Sequence, residues 1–132
     1  MRTVTFFLLA LATLALAGCA TPEPRACTLI GCVDGLTVHF TGAQPASYRL
    51  EARAAGHEPV TASCSSDQAG TQCRLDETFL ADFTPEEVTL HVTWDGGEVE
   101  RTVRPVYTES RPNGPDCPPV CRFGEVTIDL SE

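Results

Sequence analysis

Short stretches in which apolar and polar residues alternate make up most of this chain. An alternation with a period of two is typical of β-strands that bury one face. In residues 88–94, for example, every second residue is apolar, and threonine or histidine takes the positions between. Seven segments predict strands in this way: residues 35–40, 47–54, 60–64, 71–75, 88–94, 98–104 and 125–130.

Turn residues separate these segments, and helical patterns are short. Asp95-Gly96-Gly97 favours a turn with positive φ, so the strands on either side of it are expected to form a hairpin. Thr84-Pro85-Glu86-Glu87 predicts one helical turn, and a short helix over residues 76–83 is an alternative. Strands with one wet and one buried face, without long helices, predict an all-β fold, a small antiparallel β-sandwich of about seven strands.

The first nineteen residues have a different pattern from the rest of the chain. Arg2 precedes an apolar run over residues 4–17. As a helix this run would be about 21 Å long, too short for a hydrocarbon core of about 30 Å. A short apolar run after a basic start is typical of a secretory signal. We therefore divide the chain into a signal peptide (1–18), a tether (19–26) that contains two prolines, and a β-sandwich domain (27–132).

Leu16-Ala17-Gly18-Cys19, at the end of the apolar run, resembles the lipobox of bacterial lipoproteins. The resemblance implies cleavage between Gly18 and Cys19, with lipid attached to the Cys19 thiol and acyl groups such as palmitate on the anchor. It implies an envelope protein outside the cytoplasm, and Ala20 favours the outer membrane in a Gram-negative cell. The alternative is an ordinary signal peptide cut at Ala17 or Ala20.

The predicted domain also resembles the immunoglobulin-like or transthyretin-like sandwiches of envelope proteins, although in general architecture rather than in any motif. The chain as a whole is similar to uncharacterised bacterial lipoproteins. This resemblance implies no particular activity.

The excess of acidic over basic residues limits the classes of molecule that this chain is expected to bind. The chain has 9 basic and 18 acidic residues and a net charge of −9. All of the basic residues are arginines. Nucleic-acid binding requires a basic face, so this composition argues against it.

The cysteine count predicts disulfides. Without Cys19, an even number of cysteines remains, which in a small exported domain indicates a disulfide framework. Cys64 and Cys73 flank a turn-rich segment and are expected to pair. We expect the other four to link the two ends of the domain, with the order of pairing open. The six are Cys27, Cys32, Cys64, Cys73, Cys117 and Cys121. A zinc site is the alternative, but the CxxxxC and CxxxC spacings differ from the tight pairs of zinc ribbons.

A search for catalytic or metal-binding residues finds weak signals only. His39 and His91 lie on the polar faces of predicted strands, and would meet only if those strands were neighbours. His57 is expected to be a turn residue. Asp82 with the Glu86-Glu87 pair would be a poor calcium site, because a calcium loop needs several oxygens at alternating positions. No hydrolase, phosphate-binding or metalloprotease motif occurs, so we predict no enzyme and no cofactor.

The candidate contact surface is the segment 108–122, which is rich in proline and contains two cysteines. Rigid loops lose little entropy on binding, and Arg111, Asn113 and Arg122 are the candidate partner-contacting residues. The predicted function is a membrane-anchored binding or structural module of the cell envelope, with an envelope protein or glycan as partner. The alternative is an accessory or inhibitor-like protein that uses the Cys117–Cys121 loop.

Overall fold

The computed structural model describes residues 26–70 and 73–131. The signal segment, Cys19 and the tether up to residue 25 lie outside the described residues. The described part consists of strands and loops, without helices. The strands are β1 (Gly35–Thr41), β2 (Ser47–Arg53), β3 (Val60–Ser65), β4 (Glu77–Ala81), β5 (Val88–Trp94), β6 (Gly97–Val103), β7 (Val106–Ser110) and β8 (Cys121–Asp129). The predicted all-β class is confirmed.

The strands form two four-stranded sheets. Sheet 1 has the order β4-β1-β8-β7, and sheet 2 has the order β3-β2-β5-β6. Neighbouring strands are antiparallel except for β1 and β8, which run parallel in the centre of sheet 1. In the constant-type immunoglobulin arrangement the first two strands share a sheet, whereas β1 and β2 lie in opposite sheets here. The likeness to that fold is therefore one of general architecture.

The two sheets enclose one apolar core, to which both contribute every second side chain. The rings of Phe40 in sheet 1 and Tyr48 in sheet 2 lie 4.7 Å apart between centroids. The Tyr48 hydroxyl donates to the Arg74 carbonyl oxygen at 3.1 Å. Burial raises the pKa of the Tyr48 phenol. The other buried members are Leu36, Val38, Leu50, Ala52, Cys64, Leu80, Phe83, Val88, Leu90, Val92, Val99, Ile128 and Leu130.

The connection between β3 and β5 differs from the prediction. The expected strand over 71–75 is wrong for its described part, since Cys73 makes only an isolated bridge with Ala69. The alternative helix over 76–83 is also wrong, because that stretch contains β4, which pairs with β1. Pairing with a neighbouring strand has overridden the weak local helical signal.

The helical turn expected at residues 84–87 does not form, and this stretch is an irregular link. The carbonyl oxygen of Pro85 accepts a hydrogen bond from the Tyr107 hydroxyl at 2.9 Å. Tyr107 belongs to β7, a strand that the sequence pattern did not predict. That contact holds the link against the edge of sheet 1.

Candidate functional site at the disulfide-linked end

Two disulfides join the start of the domain to the loop before β8. Cys27 pairs with Cys117 and Cys32 pairs with Cys121, with Cα atoms 5.7 Å and 6.1 Å apart. A third disulfide joins Cys64 in β3 to Cys73 in the loop that follows it. The expected disulfide bonding is present, including the cross-links between the two ends. We call the region formed by residues 26–33 and 111–121 the stapled end.

The side chain of Asn113 fastens the two segments of the stapled end together. Its Oδ1 accepts hydrogen bonds from the Thr28 hydroxyl at 2.5 Å and from the Ile30 amide at 3.0 Å. Its Nδ2 donates to the carbonyl oxygens of Ile30 at 2.9 Å and Pro118 at 2.6 Å. This amide is fully engaged within the domain. Asn113, predicted as a partner contact, therefore has a structural role that the sequence did not reveal.

Arg111 also makes contacts inside its own loop. Its Nη1 donates to the Pro115 carbonyl oxygen at 2.9 Å, and its Nη2 lies 3.4 Å from Glu109 Oε2. The first contact closes the turn around Gly114, whose φ is +102°. The side chain remains exposed, so it can reach a partner while it supports the loop.

Arg122 lies at the start of β8, beside the loop rather than in it. Its guanidinium stands over the Tyr107 ring, 5.0 Å from the centroid, in a cation–π arrangement. Its backbone amide donates to Asp34 Oδ1 at 2.8 Å. Burial raises the pKa of Tyr107, while the Arg122 charge acts in the opposite direction.

The stapled end carries an apolar surface that the sequence analysis missed. Leu29 is 99% exposed, and Ile30, Val33 and Val120 are each about half exposed. Residues 26–33 and 117–121 contain no charged side chain, although charged residues make up 20% of the chain. This lack of charge is the feature of the sequence from which the apolar surface could have been predicted.

The two strand histidines lie in different sheets, so the imagined histidine pair does not form. His39 in β1 has its Nδ1 3.2 Å from Glu77 Oε2. His91 in β5 has its Nε2 3.3 Å from Glu98 Oε2. Each imidazole therefore has its own carboxylate partner on the outer face of its sheet.

His57 lies in the loop after β2, where its ring meets Phe83 edge-on at 5.4 Å between centroids. Of the acidic residues considered for calcium, Glu87 forms an ion pair with Arg104 at 2.8 Å. Within residues 26–70 and 73–131 there is no group of three or more His, Cys, Asp or Glu side chains placed to hold a metal ion.

A shallow cleft of about 580 Å³ lies at the edge where β3 and β4 approach each other. Arg74, Glu77 and Phe79 contribute to its lining. Arg74 is paired with Asp76 at 2.8 Å and with Glu77 at 3.0 Å. The hydrogen bond from Arg74 lowers the pKa of Asp76. Arg74, Asp76 and Glu77 therefore neutralise one another at the cleft, and their charges are not available to a ligand.

The described residues include no helix that is both long and apolar enough to cross a bilayer. No protein-family model, curated protein or solved structure matches this chain.

Proposed function

We propose that this chain is a lipid-anchored protein of the bacterial cell envelope and acts there, outside the cytoplasm, as a non-catalytic binding or structural module. The observation that carries the proposal is the Leu16-Ala17-Gly18-Cys19 sequence at the end of a short apolar run. The disulfides support export, since such bonds persist in oxidising compartments. All six cysteines after Cys19 are paired in the structure.

The proposed anchor follows from the chemistry of Cys19. A thiolate is a good nucleophile: its sulfur would attack a carbon of the lipid donor, so that the C–S bond of the thioether forms while the bond from that carbon to the donor's leaving group breaks. Each buried methylene of an acyl chain contributes about 0.8 kcal/mol to membrane attachment, so two or more chains hold a protein firmly.

The contacts at the candidate residues support a module without catalysis. His39 and His91 are held apart in opposite sheets, each beside its own glutamate. His57 lies against Phe83. A broad hydrolase screen on the domain from Ala20 onward tests this part of the proposal. Reproducible turnover that a single substitution abolishes would refute it.

The second candidate is an accessory or inhibitor-like protein that uses the loop between Ser110 and Cys121. The observation in its favour is that disulfides and Asn113 order this loop before a partner binds, which lowers the entropic cost of association. Affinity capture from solubilised envelope with an Arg111→Ala variant tests it. Loss of one specific partner would favour the loop as a contact site, and unchanged capture would count against it.

The anchor is tested by replacing its cysteine. We expect Cys19→Ala to leave the precursor uncleaved or to release the protein into the soluble fraction. The intact mass of the native protein should exceed that of residues 19–132 by the mass of its acyl groups. A Cys64→Ala/Cys73→Ala variant is the matched control, because it also loses cysteines but should keep the lipid. A native protein without added mass would refute the anchor.

A further inference from the structure

Most of the exposed large apolar side chains in the described part of the chain belong to the stapled end. Leu29, Ile30, Val33 and Val120 are four of the six such side chains among the described residues. The other two are in strands of sheet 1. Single exposed apolar residues are ordinary, but several together on uncharged segments indicate a contact surface.

This apolar surface is held in a fixed shape. Ile30 is bonded to Asn113 through both its amide and its carbonyl oxygen. Val33 and Val120 are each next to a cysteine of the Cys32–Cys121 disulfide. A surface that is ordered in advance loses little conformational entropy when it is covered.

The position of the tether decides what covers this surface. The described chain begins at Ala26, three residues before Leu29. Seven residues of extended chain from Cys19 to Ala26 reach at most about 25 Å. A domain of about 100 residues has a radius of gyration of about 13 Å. The tether is thus no longer than the domain is wide, and it enters the domain at the stapled end.

We propose that the stapled end lies against the lipid bilayer, with Leu29 and its apolar neighbours in the interfacial region of the membrane. This inference rests on the proposed lipid anchor and adds an orientation to it. The occupant is an uncharged lipid surface, because residues 26–33 and 117–121 carry no charge, the two charged side chains elsewhere in the stapled end (Arg111 and Asp116) are of opposite sign, and the chain as a whole is acidic. Apolar contact with the interface, rather than attraction to anionic headgroups, would hold the domain there.

The test uses the lipidated protein in phosphatidylcholine vesicles with brominated acyl chains, which quench tryptophan fluorescence on contact. Leu29→Trp places the probe at the stapled end. Val106→Trp is the matched control, because Val106 is 81% exposed but lies at the end of β7 away from the loop. The parent protein supplies the signal of Trp94 for subtraction. Non-reducing thiol alkylation verifies that both variants have kept their disulfides.

We expect the Leu29→Trp probe to emit at shorter wavelength and to lose several-fold more emission to the brominated lipid than the Val106→Trp probe. Equal quenching of the two probes, or none, would overturn the orientation. A blue-shifted Leu29→Trp probe without quenching would also overturn it, since a protein surface would then cover the residue.

The intact mass of the same sample separates this inference from the anchor. Acyl mass with no quenching would overturn the membrane contact alone. The absence of acyl mass would overturn the anchor and the orientation together. Ile30→Trp provides a second probe, and quenching similar to that of Leu29→Trp supports the same orientation.

Discussion

The side-chain amide of Asn113 pairs with the backbone of Ile30 in both directions, accepting from its N–H at 3.0 Å and donating to its carbonyl oxygen at 2.9 Å. The two residues are 83 positions apart in the chain. The Asn113 side chain thus makes with Ile30 the two hydrogen bonds that the backbone of a neighbouring β-strand would make. This pairing gives the stapled end its fixed shape.

Replacing Asn113 tests that pairing. Asn113→Ala removes all four hydrogen bonds, and because the site is open to water we expect a loss of about 1–2 kcal/mol in the free energy of unfolding. Asn113→Asp should cost more at neutral pH, because a carboxylate oxygen would replace the donor that faces the Ile30 and Pro118 carbonyl oxygens.

Denaturant unfolding of both Asn113 variants at pH 7 provides the measurement. Protonating the new carboxyl group at low pH should relieve the repulsion in the aspartate variant, while the alanine variant shows no such recovery. An Asn113→Asp variant as stable as Asn113→Ala at pH 7 would contradict the assigned amide contacts.

The two long-range disulfides should act non-additively. Cys27–Cys117 and Cys32–Cys121 span 90 and 89 residues, and with one in place the other closes only a short ring. In the chain-entropy model, losing either costs about 3 kcal/mol, whereas losing both costs about 7 kcal/mol. Paired Cys→Ser variants in a double-mutant cycle measure this difference. Strictly additive losses would contradict the expectation.

Gly35 should not tolerate a side chain. A Cβ atom built there would overlap the Phe79 ring and lie 2.6 Å from the Leu80 carbonyl oxygen. Because the backbone of β4 cannot withdraw without loss of pairing, Gly35→Ala should cost about 1–3 kcal/mol. Gly31→Ala is the matched control, since nothing lies within 4 Å of its Cβ position. Equal unfolding midpoints for the two variants would contradict the close approach of β4 to Gly35.

Asp129 should contribute to the loss of stability in acid. Hydrogen bonds from the hydroxyl and the amide of Ser131 lower the pKa of its carboxyl group. A carboxyl whose pKa is lower in the folded than in the unfolded state stabilises the fold above the unfolded value of about 3.9, and this contribution is lost as pH falls through the folded value.

Asp129→Asn should therefore be less stable than the native protein at pH 7, and the two should converge as pH falls through the lowered pKa of Asp129 in the folded state. Ser131→Ala should remove only part of the stability that the Asp129 carboxylate contributes at pH 7, because the Ser131 amide still donates to that carboxylate. Unfolding free energies measured from pH 7 down to about pH 2.5 test this, and a constant gap between native and Asp129→Asn protein would count against it.

Strands with a clear buried face were predictable from the sequence. β5 was predicted with its observed bounds, because each of its inward positions is apolar. The two edge strands of sheet 1, β4 and β7, were missed. Leu80 is the only fully buried residue of β4, and β7 has none. Neither segment alternates, since β4 reads Glu-Thr-Phe-Leu-Ala and β7 reads Val-Tyr-Thr-Glu-Ser. Their positions are set by pairing with β1 and β8.

The stapled end was predictable in its covalent bonds but not in its surface. Even cysteine numbers at the two ends indicated cross-links between them. The role of Asn113 depends on a contact across 83 residues, which local sequence does not encode. Leu29 and Ile30 were not predicted as exposed, because apolar residues are ordinarily assigned to a core.

The Cys27–Cys117 bond also determines how the domain bears tension. A force applied between residue 26 and residue 131 passes through the Cys27–Cys117 and Cys32–Cys121 bonds into β8, so the backbone between residues 33 and 116 cannot be extended while those bonds are intact. Only the fourteen residues after Cys117, with a contour length of about 50 Å, can be drawn out. Under tension between these two residues, the protein would behave as a short, nearly inextensible link.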